Sequence, residues 1–510
     1  MITIEINQNQ SIIYPWLTSL ESPLTAKIRK TLQGWELKQA QLLQDAYDRG
    51  EDIQERDTRF RCERDIEATA VITRKGLVIT PVPLFQANSD NSGGVFYTGL
   101  LSIVLKHLKR VKREYTVIDN RDKSMLRDTL PEFHDVAYRE HQEDVLRKLL
   151  SSSNGIIKAV PAFGKSFIIG IYCKMRCMEE RIMVVTNRKS VLTDLFKRIG
   201  QDIGTSKVCI VGATKVFDPR KRVAVVSAFS MHHIPSDWPG VILYDEVHGA
   251  AAPCIGRELM RFSEARFYGF SGTPKGRGDG GDLIGESLFG DIIHEVGYDQ
   301  ALASGNVTDM EVRIVKVKGD PAPNVRDKID FDRQNIWRNS VRNMKIADVV
   351  KALEKDGIEK ILIFVTTAEH AYYLRMFLPN FEVVHNKMSP AKIAQFHKQG
   401  LLRPGELCDP DVEALKEGFK GTVYTKVIAS MIWREGLSVD DLGVVIRADA
   451  QSGVISTVQI GGRSSRIFEG KTLALCIDFQ DDFGHEMLAK SQARIRHYRA
   501  EGWRVIDWEV

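Results

Sequence analysis

The sequence has no run approaching the 18 apolar residues of a membrane span, and its opening MITIEINQNQ lacks the basic-then-apolar pattern of a secretory leader. A cytoplasmic protein with no membrane partner is therefore expected. Charge of one sign is also scarce: 71 Lys and Arg face 67 Asp and Glu, a net of +4. Attraction to a polyanion must then come from local patches. Cysteines are few and odd in number, at 62, 173, 177, 209, 254, 408 and 476, which argues against a disulfide framework and for reduced thiols. Cys173 and Cys177 are the one close pair, spaced to share a helix face, and a buried apolar role is read for them in preference to a metal. No low-complexity tract and no nuclease or methylase motif is recognisable.

What is present is length and alternation. At roughly 100 to 200 residues per domain, 510 residues suggest about three domains. From about residue 129, short β-branched runs alternate with polar turns and helical stretches, the pattern of a parallel sheet. The runs are GIIKAV, RIMVVT, KVCIVG, VAVVSA, GVILYDE and RFYGFSG. A mixed stretch near 305 to 335 contains GDPAPN, and the alternation then restarts with KILIFVT, FEVVHN, YTKVIAS, LGVVIRA and TLALCIDF. The fold class is α/β: two tandem parallel-sheet domains, 129–308 and 336–510, joined by a linker, 309–335, and preceded by a small α+β domain, 1–128. Two such domains leave a cleft, a usual place for a ligand.

In the first 128 residues the pattern predicts a helix over 24–48, then a hairpin in TAVITRKGLVITPVPLF turning at Lys75 and Gly76. A helix from about Gly99 to Arg113 follows. Leu101, Val104, Leu105, Leu108 and Val111 form its apolar face, and Lys106, Lys109, Arg110, Lys112 and Arg113 crowd the remainder. Such a basic face is either simply solvated or a contact for DNA.

AVPAFGKS, 159–166, matches the phosphate-binding pattern G-x-x-x-x-G-K-[ST] except that Ala159 stands at the first glycine. It lies between a predicted strand and a predicted helix, so Pro161, Ala162, Phe163 and Gly164 would line a polyphosphate facing the helix N-terminus. Lys165 would reach the β- and γ-phosphates, and Ser166 would hold Mg²⁺. Downstream, VILYDEVHGA is an apolar strand ending in Asp245 and Glu246. A carboxylate there suits a Mg²⁺ ligand, and the next one can orient the attacking water: Asp245 is read as the metal ligand and Glu246 as the general base.

With these motifs the chain resembles superfamily 2 helicases and translocases of the D-E-x-H type over most of residues 136–485. The resemblance implies two RecA-like domains, ATP and Mg²⁺ as cofactors, and a role for each further motif. YREHQ (138–142) corresponds to the adenine-sensing segment, with Arg139 and Gln142 at the matching positions. TNRKSVLTDL (186–195) and SAFSM (227–231) correspond to motifs Ia and Ib, which assign nucleic-acid contacts to Asn187, Arg188, Ser227 and Ser230. SGTP (271–274) corresponds to motif III, which couples the ATP state to domain movement. IFVTTAEHAYYL (363–374) falls at motif IV and brings in Thr366 as a nucleic-acid contact. ASMIWREGLSV (429–439) resembles motif V: Ser430 and Trp433 on nucleic acid, with Glu435 and Gly436 at its centre and Gly436 toward the nucleotide. QIGGRSSR (459–466) matches the Q-x-x-G-R-x-x-R of motif VI through Gln459, Gly462, Arg463 and Arg466. Its two arginines, three apart, are expected to share a helix face and to act as an arginine finger. The chain departs from the pattern in motif Ia, where TN replaces PT, and in Trp433.

A narrower resemblance is to the UvsW-like branch-migration helicases of tailed phages, T5-like phages included, with XPB-type and RecG-type relatives. Residues 99–122 and 478–503 carry it. It implies branched double-stranded and single-stranded DNA as partner, in replication, recombination or repair. Recombination or replication proteins are candidate partners, and a monomer is compatible with the sequence. An RNA helicase would share every ATPase motif; a motor subunit of a restriction or excision-repair complex would need a cutting partner chain. Two loops are left over: 396–411, read as a surface excursion in preference to a strand-separating element, and KGRGDGGD (275–282), read as mobile, with Lys275 and Arg277 able to approach phosphates.

Overall fold

The computed structural model describes residues 2–31, 71–72, 77–133, 135–212, 216–277, 279–322, 325, 327–403, 406, 411–433 and 439–510. The N-terminal strands are β1 (Ile2–Ile6), β2 (Gln10–Tyr14), β3 (Thr25–Thr31), β4 (Val71–Ile72), β5 (Leu77–Pro83), β6 (Phe85–Ala87), β7 (Gly94–Tyr97) and β8 (Tyr115–Asp119). Five of them form one sheet, in the order β6-β7-β2-β1-β8, and β3, β5 and β4 form a second. Alternation drives the first: Ile2, Ile4 and Ile6 of β1 turn into a core with Leu100 and with Val104 and Leu108 of the helix Leu101–Arg110 that follows it. The expected helix over 24–48 is corrected at its start. Residues 25–31 pair antiparallel with 77–83 over seven positions, and this long-range ladder overrides the local helical pattern. The rest of that span lies outside the described residues, as does the turn at Lys75 and Gly76, although β4 and β5 pair as the hairpin requires.

The first parallel sheet contains β9 (Gly155–Ala159), β10 (Ile182–Thr186), β11 (Val208–Val211), β12 (Val223–Ser227), β13 (Val241–Asp245), β14 (Arg266–Ser271) and β15 (Ile292–Val296), in the order β11-β12-β10-β13-β14-β9-β15. Every residue of β10, β13 and β14 is buried, as expected of strands covered by helices on both faces. The second sheet contains β16 (Asp309–Lys318), β17 (Ile361–Phe364), β18 (Glu382–Val384), β19 (Lys426–Ala429), β20 (Val444–Arg447), β21 (Leu473–Asp482) and β22 (Arg504–Asp507), in the order β18-β19-β17-β20-β21-β16-β22. The chain divides into two compact units, Met1–Lys158 with Lys165–Glu295 and Ala159–Gly164 with Val296–Val510. The expected linker 309–335 is corrected in its first third: β16 pairs with β21 through ten residues.

Within the first unit, the N-terminal region is fastened to the parallel-sheet region. Asn9 Nδ2 donates to the carbonyls of Phe262 (3.0 Å), Ser263 (2.6 Å) and Ala265 (2.8 Å). Gly99 lies so close to the helix Asp282–Phe289 that a Cβ there would stand 2.2 Å from the Glu286 carbonyl oxygen, so only glycine fits. Ile284 of the same helix belongs to the N-terminal core.

The second unit is held by a buried ionic network. Arg447 donates to both oxygens of Asp449 (3.0 and 2.7 Å), to Tyr498 (3.1 Å) and to the Gln451 carbonyl (2.9 Å). Arg494 binds Asp478 through two bonds (2.8 and 3.0 Å), and Arg342 binds Asp481 (2.9 Å). All six side chains are at most 1% exposed. Burial pushes the Asp478 carboxyl up, but Arg494 and Arg447 outweigh it and hold the group below its ordinary value. Removing one member strands the others' charge, so Arg447→Ala is expected to cost about 3 to 5 kcal/mol. Urea unfolding should show a lowered midpoint; an unchanged midpoint would refute a structural role for the network.

Candidate nucleotide and nucleic-acid site

The phosphate-loop sequence runs from the last residue of β9 to the helix Lys165–Arg176. Ala159 is fully buried and still belongs to the strand, which is why a methyl group is tolerated where the pattern has glycine. The left-handed turns come later, at Ala162 (φ 69°) and Gly164 (φ 101°). The first is a strained conformation for alanine, of the kind that clusters at ligand clamps. Pro161 is half-buried, Phe163 is buried under the loop, Lys165 opens the helix half-exposed, and Ser166 is exposed beside it. Upstream, Gln142 begins the helix Gln142–Ser151 and is buried. Its Oε1 accepts from the Arg139 N–H at 3.0 Å, while the Arg139 side chain is exposed.

Asp245 ends β13, and the register places it beside Phe270; Ser271 lies beside Lys158 of β9. The ends of β9, β13 and β14 thus share one sheet edge, where ligands of open α/β sheets bind. Glu246 is left-handed (φ 56°, ψ 60°). Ser271 Oγ donates to Glu246 Oε2 (3.0 Å) and accepts from the Thr273 N–H (3.1 Å). His248 Nδ1 lies 3.2 Å from the same hydroxyl and 3.5 Å from Glu246 Oε2. One hydroxyl serves all three if His248 carries its proton on Nδ1. Ser166 and Asp245 offer hard oxygen donors, the chemistry Mg²⁺ prefers while it keeps several waters.

The loop 275–282 is corrected from a mobile, phosphate-seeking segment. Lys275 pairs with Glu286 (2.6 Å). Arg277 grips Asp279 and donates to the His248 carbonyl (2.9 Å), and the Gly276 and Arg277 N–H groups bind Asp282 (2.8 and 3.2 Å). Gly280, at φ 80°, passes so close to the Lys27 carbonyl that a Cβ would stand 2.4 Å from it. Acidic residues consume both cations.

On the same sheet edge, Thr186 of β10 pairs with Ser227 of β12, which brings the motif Ia and Ib residues together. Asn187 accepts from the Tyr244 hydroxyl (2.6 Å), with its amide against Gly249, so it ties motif Ia to the acidic motif. Burial pushes the Tyr244 hydroxyl well above its ordinary range, so it stays a donor. Arg188 is half-buried at the start of the helix Lys189–Ile203, Ser227 is half-buried and Ser230 is buried. Sequence reasoning passed over Phe229, whose ring is 66% exposed between Ala228 and Ser230. An exposed aromatic suits base stacking, and its place inside SAFSM was the available signal.

In the second unit, Thr366 follows β17 and Ser430 follows β19, and the two strands pair. The Thr366 hydroxyl oxygen is buried without a hydrogen-bond partner, and Ser430 is buried, its N–H bound to the Val384 carbonyl (2.8 Å). Trp433 is corrected: it is 2% exposed and stacks on Phe419 (5.7 Å between centroids, 30°) in the core, so its ring is not offered to a nucleic-acid partner. Glu435 and Gly436 lie outside the described residues. Gln459 is buried in the helix Val454–Gly461, whose Gly461 lies against the ring of Trp503. That helix ends before the arginines. Arg463 sits in the 3₁₀ turn Gly462–Ser465, and Arg466 is extended (φ −68°, ψ 142°), so the expected shared helix face is replaced by a tight turn. Arg466 reaches Asp440 at 3.3 Å. At 396–411, Leu401 and Leu402 are buried in the core and Arg375 grips Glu406, so the described part of the excursion is anchored at its base.

Residues 344–468 match the family model of the Helicase conserved C-terminal domain. The chain is 22% identical to "Probable helicase D10" of Escherichia phage T5 over 357 residues, 69% of this chain and 73% of that protein. Among solved structures, T4 UvsW aligns over 100% of this chain and 99% of its own at 14% identity and a TM-score of 0.40. S. cerevisiae Dbp5 bound to RNA and ADP BeF3 covers 72% of this chain and 90% of its own at 11% identity and a TM-score of 0.50. At 11% identity the Dbp5 likeness speaks to the fold alone, and it agrees with the two seven-stranded sheets as tandem RecA-like units. The matched helicase domain, the phage relative and the motif set together support reading the chain as similar to the superfamily 2 helicases.

Proposed function

We propose that this helicase hydrolyses ATP to move along branched DNA, catalysing branch migration or fork regression in replication, recombination or repair, in the host cytoplasm if a phage encodes it. The observation that carries the ATPase reading is the common sheet edge bearing the phosphate loop, the Asp245–Glu246 pair and Ser271. Gly164 and the helix N-terminus receive the polyphosphate, and Lys165 neutralises its outer oxygens. Ser166 and Asp245 would hold Mg²⁺, which would supply charge neutralisation at the phosphates. Glu246 orients the water and accepts its proton. Arg463 and Arg466 stabilise the charge of the transferring phosphoryl group, and Arg139 with Gln142 recognises adenine.

Support for a duplex arm held by the N-terminal region comes from Lys106, Lys109, Arg110, Lys112 and Arg113, all exposed along the helix Leu101–Arg110 and its C-terminal end. Such phosphate contacts are independent of sequence and weaken with salt. The test compares ATP-driven conversion of a synthetic four-way junction with that of a plain forked duplex, and ATPase stimulation by branched DNA, single-stranded DNA and RNA. The junction should be converted faster and branched DNA should stimulate most. Equal conversion of both substrates, or strongest stimulation by RNA, would overturn the branched-DNA reading.

A further inference from the structure

The turn that carries the two arginines of motif VI is clamped through its backbone. A 3₁₀ turn leaves its last carbonyls without partners inside the turn. Here the Thr308 N–H binds the Ser465 carbonyl (2.8 Å), and the Thr308 hydroxyl binds the Arg466 carbonyl (3.0 Å). From the other side comes Lys471. Its Nζ donates to the carbonyls of Ser464, Arg466 (3.1 Å) and Asp440 (3.3 Å), and its own N–H closes the loop onto Phe468 (3.0 Å). An ammonium has three N–H bonds, and three carbonyls meet it.

We propose that Lys471 is the positioning residue of the arginine pair: its ammonium fixes the backbone at 464–466 and so aims Arg463 and Arg466 at the nucleotide. This rests on the reading of those arginines as the finger. The groups facing Lys471 are Asp440 and Asp441, which favour its charge, and Arg466, which opposes it. Burial is the largest effect and carries the pKa down to about 8. A neutral amine keeps two N–H bonds and turns a lone pair toward the third carbonyl, which opens the clamp. The clamp is therefore closed below pH 8 and lost as pH rises through it. Stability moves the opposite way. Lys471 binds its proton less tightly folded than unfolded, where its pKa is about 10.4, so between those values this group makes folding more favourable as pH rises. A loss of turnover there is not unfolding driven by Lys471.

The experiment measures DNA-stimulated kcat and the KM for ATP from pH 6.5 to 9.5 in the full chain, its Lys471→Met and Lys471→Arg variants, and Arg463→Ala. The unaltered protein should lose kcat with a midpoint near pH 8 while KM holds. Lys471→Met should be slower by about 10²-fold at low pH, the cost of a misplacement near 1 Å, with KM and thermal midpoint little changed. Lys471→Arg, which stays charged, should keep kcat and lose the alkaline limb. A Lys471→Met protein with unaltered kcat, an alkaline limb that persists in Lys471→Arg, or a Lys471→Arg protein as slow as Lys471→Met would each overturn the proposal. If the finger reading itself is wrong, Arg463→Ala keeps full turnover; if only the Lys471 proposal is wrong, Arg463→Ala is slow and the Lys471 variants are not.

Discussion

Arg463→Ala is expected to lower DNA-stimulated ATP turnover by about 10³-fold or more, the range measured for arginine fingers. The side chain leaves a 3₁₀ turn whose neighbours Gly462, Ser464 and Ser465 are all buried, so little room exists for another residue to take its place. Phosphoryl transfer spreads negative charge over the equatorial oxygens, and a guanidinium held in advance answers it without reorganisation at the moment of reaction. ATP binding should survive, because the phosphate loop and its lysine are untouched. Single-turnover hydrolysis beside equilibrium binding of a fluorescent ATP analogue separates the two. A variant that loses binding and turnover together would mean that Arg463 holds the ground state and not the transition state.

Glu246→Gln should reduce hydrolysis by about 10² to 10⁴-fold, the contribution typical of general acid–base groups. The amide keeps the size and the acceptor that receives the Ser271 hydroxyl, but not the basicity. Glu246 is held left-handed, with Ser271 on one oxygen and His248 nearby, which leaves its aim little freedom. DNA binding should remain. Retained DNA-dependent ATP turnover in Glu246→Gln would remove Glu246 from the role of base.

The sheets were legible because a strand buried on both faces writes itself as a continuous β-branched run, as VILYD does. The places of candidate residues at the ends of such runs, Asp245 and Glu246 among them, were legible with them. Less was readable where pairing is remote. Residues 25–31 look helical until 77–83 lies beside them. Strand β16 follows a polar stretch and is recognised as a strand only through β21. Trp433 carries an aromatic that suits either a base or a core, and Phe419, 14 positions earlier, decides between them. Lys275 and Arg277 read as free cations because their acidic partners Glu286, Asp279 and Asp282 are identified only once the loop is folded. Arg342, Arg447 and Arg494 would be placed on the surface by composition alone, since arginine is almost never fully buried unless paired.

The seam at Asn9, Gly99 and Gly280 has a mechanical meaning. The Asn9 amide, whose two N–H bonds are shared among three carbonyls, and two glycines that admit backbone against backbone join the N-terminal region closely to the parallel-sheet region. A line of contacts runs from Lys27 of β3 through Gly280, Arg277 and the His248 carbonyl to the segment that bears Glu246. On the reading proposed above, a displacement of the N-terminal strands is passed by backbone contacts to the residue assigned to water activation.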